Sequence, residues 1–182
     1  MKTALARLAP LALPLALAAC ATQPVGPGPY GPPPPPSAGG IFILAPYSRA
    51  DYVWSQASGG NGIRGQSPKG YSCAGLAVGL TPDGPYSRER ISKLYGTVSR
   101  ADRPVAEIRA KIVANDDPDL ARFVRSTRCD ANGRFSFDGL PSGSYFMIAQ
   151  VASPQGPLAL MRHVTLRGDD IEPVQLTMTA PR

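Results

Sequence analysis

Few side chains in this chain have types and spacings that suit chemistry. The sequence has 182 residues, with one histidine, three cysteines and 13 acidic residues. A catalytic zinc takes about three protein ligands, often His, and His163 is the only histidine. It lies in the alternating segment LALMRHVTL (158–166) and reads as an ordinary sheet-face residue. Gly139-Leu140-Pro141-Ser142-Gly143 does not fit the G-x-S-x-G nucleophile elbow, whose serine is the third residue at a strand-to-helix turn. Asp130-Ala131-Asn132-Gly133 opens like a calcium loop, but the later acidic ligands and the closing Glu are missing. It reads as a hairpin turn. Asp116, Asp117 and Asp119 form an acidic cluster that could hold a cation weakly, with a solvated loop as the plainer reading. These residues predict no catalytic residue, no metal and no cofactor, so the chain is expected not to be an enzyme. The length also leaves little room for a barrel of about 250 residues.

The chemistry expected at the N-terminus is attachment. Lys2 and Arg7 precede LAPLALPLALAA (8–19). Twelve residues are too few for a membrane-spanning helix of about 20, and a basic start followed by a short apolar run is the form of a secretory signal peptide. Leu17-Ala18-Ala19-Cys20 resembles the bacterial lipobox. That resemblance implies a signal over 1–19, lipidation of Cys20 with fatty acyl chains such as palmitate, and a membrane partner. Several acyl chains hold far more firmly than one. Ala21 follows in place of the Asp that usually retains Gram-negative lipoproteins at the inner membrane, so the outer membrane is expected, facing periplasm or cell surface.

Residues 21–40, ATQPVGPGPYGPPPPPSAGG, hold eight prolines and five glycines. Such a segment cannot bury enough apolar surface to offset its ordering entropy. Together with Cys20 it is expected to form a spacer over 20–40. Without Lys2 and Arg7 the chain keeps 17 basic against 13 acidic side chains, a net charge of +4. The basic residues are scattered, the densest group being Arg88, Arg90 and Lys93 around Glu89. A nucleic-acid partner is not expected, since it wants a concentrated basic stripe. With Cys20 assigned to lipid, Cys73 and Cys129 remain as an even pair in an oxidising compartment, which reads as a disulfide.

Beyond residue 60 the pattern is β. Ile63 alternates with polar neighbours in NGIRGQ (61–66), and Leu76, Val78 and Leu80 share a face in GLAVGLTP (75–82). EIRAKIV (107–113), FVRSTRC (123–129), RFSFDG (134–139), SYFMIAQVA (144–152), LALMRHVTL and EPVQLTM (172–178) continue the series. Short strands at this spacing, separated by turn-forming clusters, indicate an all-β antiparallel sandwich of seven to eight strands over 60–182. SRERISKLYG (87–96) breaks the pattern as a short helical excursion at the sandwich edge, with Ser87 as N-cap and Gly96 as stop. Asp117-Pro118 could open a second short turn.

CDANGRFSFDGLPSGSYFMIAQV (129–151) is the densest motif. It resembles the carboxypeptidase regulatory-like, or transthyretin-like, β-sandwich, with its D-x-x-G-x-F-x-F hairpin followed by L-P-x-G-x-Y. The matching residues are Asp130, Gly133, Phe135, Phe137, Leu140, Pro141, Gly143 and Tyr145. Cys129 stands where the family often has Thr, and the connection over 81–122 is longer than usual. The resemblance implies a domain that does no chemistry and a fold grouped with carbohydrate-binding-like sandwiches.

The segment IFILAPYSRADYVW (41–54), within an N-terminal extension over 41–59, carries Tyr47, Tyr52 and Trp54. Exposed, these would suit stacking on sugar rings or a protein partner. Buried, they would cover a sheet or add an edge strand, which is the favoured reading. The function expected is a non-catalytic outer-membrane lipoprotein with structural or protein-interaction roles at the cell envelope. The alternative is a carbohydrate- or peptidoglycan-binding module.

Overall fold

A computed structural model describes residues 41–178. The signal peptide, Cys20 and the tether lie outside the described residues. The order of elements is β1 (Ile41–Phe42), β2 (Asn61–Gln66), β3 (Ala77–Pro82), α1 (Pro85–Tyr95), β4 (Arg100–Pro104), α2 (Val105–Ala110) and β5 (Ile112–Val113), followed by β6 (Arg125–Arg128), β7 (Arg134–Leu140), β8 (Gly143–Val151), β9 (Leu158–Leu166) and β10 (Ile171–Gln175). Short 3-10 turns occupy Arg49–Asp51, Val53–Gln56 and Pro118–Phe123.

Eight of these strands make an all-β sandwich. One sheet has the order β10-β2-β7 and the other β4-β9-β8-β3-β6. Period-two alternation puts Ile63, Val78, Leu80, Phe135, Phe137, Tyr145, Met147, Leu160 and Val164 between the sheets, where they form one buried cluster. Full burial of side chains of this kind contributes about 1.5–3 kcal/mol each. Cys73 and Cys129 are bonded within that cluster. The expected disulfide is therefore present.

The second face of the five-stranded sheet is also covered. Ile91, Leu94 and Tyr95 of α1 and Val105 at the start of α2 pack on Phe146, Ala159 and Met161. This explains why β8 is apolar on both faces: Tyr145 and Met147 point into the sandwich, while Phe146 points to the helices. The connection over 81–122 is thus a roof across the sheet rather than the edge excursion expected.

Several local expectations need correction. EIRAKIV begins as the helix α2, not a strand. Val105 and Ile108, three apart, face the sheet from α2, and the run ends in the short strand β5 with Ile112 exposed, so alternation alone did not distinguish the states. The ion pairs Arg103–Glu107 (3.9 Å) and Glu107–Lys111 (3.3 Å) show the four-residue spacing that favours the helix. Helix α1 starts at Pro85 with Gly84 as its N-cap, and Ser87 sits at the third helical position. Its Oγ accepts from the Gly84 amide at 2.9 Å and donates to the Pro82 carbonyl at 2.7 Å. Leu76 precedes β3 and is exposed. Finally, β10 runs parallel to β2, pairing Ile171 with Gly62 through Gln175 with Gln66. The chain crosses from one sheet to the other between β9 and β10, so no hairpin fixes the direction of β10.

Candidate binding face

The two sheets differ in what covers them. Helices roof the five-stranded sheet, whereas β10-β2-β7 turns an open face outward. Its register fixes which side chains stand there. Gln175 pairs with Gln66 and Gln66 with Arg134, giving one outward row across three strands. Pro173, Arg64 and Ser136 form the next outward row. Between them lies the inward row Val174, Gly65 and Phe135, in which the Phe135 ring covers Gly65 so closely that a Cβ there would overlap it. The two outward rows wall a shallow trough of about 250 Å³, lined by Arg64, Gln66, Arg134, Pro173 and Gln175 and floored by the inward row. Arg64 is held by Asp138 at 2.6 Å, while Arg134 makes no side-chain ion pair among the described residues.

The same end of the sandwich carries more guanidinium groups. Arg100 and Arg162 stand directly opposite one another on β4 and β9. Arg162 Nη1 donates to the carbonyl of Gln175 at 3.2 Å, and Arg100 Nη1 donates to Thr177 Oγ1 at 3.2 Å. The two arginines line a second cleft of about 220 Å³ with Ser99 and His163.

The motif residues serve the fold. Asp130 Oδ1 accepts from the amides of Asn132 and Arg134, both at 2.8 Å, and Gly133 takes a φ of 73°. This is a hairpin turn closed by its own aspartate. Leu140 is fully buried, and Tyr145 donates its hydroxyl to the Pro141 carbonyl at 3.1 Å. Burial pushes the Tyr145 hydroxyl up to about 12. Trp54 packs on Tyr145 with ring centroids 5.2 Å apart and covers Gly143.

The aromatic extension is turned inward. Tyr52 is fully buried and stacks on Tyr47 at 5.4 Å, and its hydroxyl accepts from the Ser87 amide at 2.9 Å. Trp54 donates from Nε1 to the Asp51 carbonyl at 2.8 Å. Tyr47 and Tyr52 cluster with Tyr86 of α1, while Trp54 packs against the sandwich core, so Tyr52 offers no face to a sugar. Tyr47 and Trp54 are half-buried.

His163 is more than an ordinary sheet-face residue. Its Nε2 lies 2.7 Å from Asp83 Oδ2, and the Asp83 side chain is only 5% exposed. Arg88 donates from Nε to Asp83 Oδ1 at 3.1 Å and also pairs through Nη2. No serine hydroxyl bonds this pair among the described residues. The acidic cluster is likewise internally engaged. Arg90 grips Asp116 through two bonds of 2.8 Å and holds its carboxyl below the usual range, while Asp117 caps the turn at Asp119 and Asp119 pairs with Arg122. Among the described residues, no group of three or more His, Cys, Asp and Glu could hold a metal ion. No helix among them is long and apolar enough to cross a membrane.

Two packed sheets, a helical roof over one of them and a disulfide in the core together define an all-β sandwich with a short helix. No family model matches the chain, and no curated protein does. Among solved structures it is similar to a candidate carbohydrate binding protein from Pseudomonas aeruginosa, with a TM-score of 0.50 and 23% sequence identity. The match covers 73% of this chain and 98% of that one. At that identity the likeness concerns the fold.

Proposed function

We propose that this chain is a non-catalytic, lipid-anchored protein of the outer membrane whose β-sandwich meets a partner through the open face of its three-stranded sheet. The observation carrying this is the asymmetry of the sandwich. Helices cover the outer face of one sheet, while the other exposes rows of amide and guanidinium groups. The Leu17-Ala18-Ala19-Cys20 lipobox supports the anchor, and the motif over 129–151 supports membership of the carboxypeptidase regulatory-like family. The engagement of His163 by Asp83, and of Asp116 by Arg90, supports a role without catalysis.

The role is structural or one of protein interaction, and a glycan such as peptidoglycan is the second reading. That second reading is favoured by the fold neighbour and by the hydrogen-bonding row Gln175–Gln66–Arg134. Fractionation of cells expressing Cys20→Ser tests the anchor: loss from the membrane fraction is expected, and an unchanged fraction would contradict it. Cross-linking in cells through a photoreactive residue at position 136 tests the face. A discrete adduct is expected, and failure to capture any envelope component would overturn the open-face assignment.

A further inference from the structure

The open face and the cleft beside it form one strip. Arg134, Gln66 and Gln175 stand side by side across β7, β2 and β10, a distance of about 10 Å at the usual strand spacing. The strip continues into the other sheet, because Arg162 reaches the Gln175 carbonyl and faces Arg100 across the β4–β9 ladder. Like charges directly opposite each other on paired strands are unfavourable. Even so, Arg100, Arg134 and Arg162 take part in none of the ion pairs seen among the described residues. Three guanidinium groups without an ion pair among the described residues, with two amides beside them, make a surface complementary to a regularly charged anionic chain.

We propose that this strip binds an acidic polysaccharide laid across the strands, its carboxylates paired with Arg134, Arg162 and Arg100 and its hydroxyls bonded to Gln66 and Gln175. The inference rests on the second, glycan reading of the open face and names the ligand class. Guanidinium matches carboxylate through paired parallel hydrogen bonds, and side-chain amides both donate and accept, as sugar hydroxyls require. A nucleic-acid strand is the poorer match. The strip carries no aromatic side chain on its outward rows, and single strands are gripped by stacking as well as by charge.

The test is affinity electrophoresis of the detergent-solubilised full chain through gels holding polygalacturonate, neutral dextran or single-stranded DNA. Retardation by polygalacturonate alone is expected, weakening with added salt. Arg134→Ala should relieve it by about tenfold, the worth of one hydrogen bond to a charged group. Among the described residues Arg134 has no side-chain partner to lose, so this variant keeps the fold. Arg100→Ala is the second variant, read beside its thermal midpoint. Equal retardation by dextran that is indifferent to Arg134→Ala would remove the acidic ligand while leaving a glycan-binding face intact. Retardation by DNA as strong as that by polygalacturonate, or no retardation at all, would also overturn the proposal. The adduct at position 136 reports separately on whether the face is used.

Discussion

The indole of Trp54 lies over the Cα of Gly143 and leaves no room for a side chain there. The contact joins the N-terminal extension to the first residue of β8, and Trp54 also packs on Tyr145. It explains a glycine of the family-like motif by something outside the motif. Gly143 has a φ of 152°, a backbone setting that side chains rarely adopt. Gly143→Ala therefore meets both strain and overlap and should destabilise the fold by about 2 kcal/mol or more. Trp54→Ala, in which the overlap disappears, should reduce that penalty when the two are combined. Chemical denaturation of both single variants and the double variant measures it. Strict additivity would refute the contact as the cause.

The disulfide is placed to matter. Cys73 and Cys129 are 56 residues apart and both buried in the sandwich core. On the chain-entropy model, closing a loop of that size contributes about 4 kcal/mol. Replacing both cysteines with alanine should lower the thermal midpoint by an amount of that order. Intact mass under non-reducing conditions should show no free thiol at either position in the parent.

Asp83 ties the start of α1 to the sheet through Arg88 and His163. Its carboxylate is nearly buried while Arg88 is half exposed, so the loss should fall between the surface and buried cases. Asp83→Ala should cost about 2 kcal/mol. His163→Ala should cost less in that background than in the parent, with coupling of about 0.5–1 kcal/mol in a double-mutant cycle. Absence of coupling would mean that the pair is not formed in solution.

Ser87 is fully buried and its hydroxyl joins the Gly84 amide to the Pro82 carbonyl. Ser87→Ala leaves both backbone groups without that partner and should cost about 1–2 kcal/mol. Amide exchange at Gly84 and along the first turn of α1 should quicken first.

Burial raises the hydroxyls of Tyr95 and Tyr145 from 10.0 to about 12. A folded-state value above the unfolded one means that the protonated forms favour the native state. That stability is complete below pH 10 and is lost as pH rises from about 10 to 12. Tyr145→Phe and Tyr95→Phe should each make stability less sensitive to pH across this window. Denaturant midpoints at several alkaline pH values, with tyrosinate absorbance followed alongside, give the comparison.

The sequence determined the parts of this protein that depend on local periodicity and turn chemistry. Phe135 and Phe137 alternate on a strand, Asp130 and Gly133 close a hairpin, and the runs around Tyr145 and Val164 announce long buried strands. Pairing of Cys73 with Cys129 followed from counting. Local pattern was ambiguous in the long connection, where EIRAKIV alternates like a strand and only the packing of Val105 and Ile108 on the sheet selects the helix at its start.

Tertiary structure alone decided how the strands register and which distant side chains that register brings together. The parallel docking of β10 on β2 creates the row Gln175–Gln66–Arg134, whose members are far apart in the chain. The same docking brings Gln175 to Arg162, and helix α1 brings Arg88 to Asp83 and Asp83 to His163. Charge along the chain looked scattered because sequence order spreads over several strands what a sheet register gathers within a few ångströms. Hydrogen bonding between strands sets that register, and no property of a single strand encodes its neighbour.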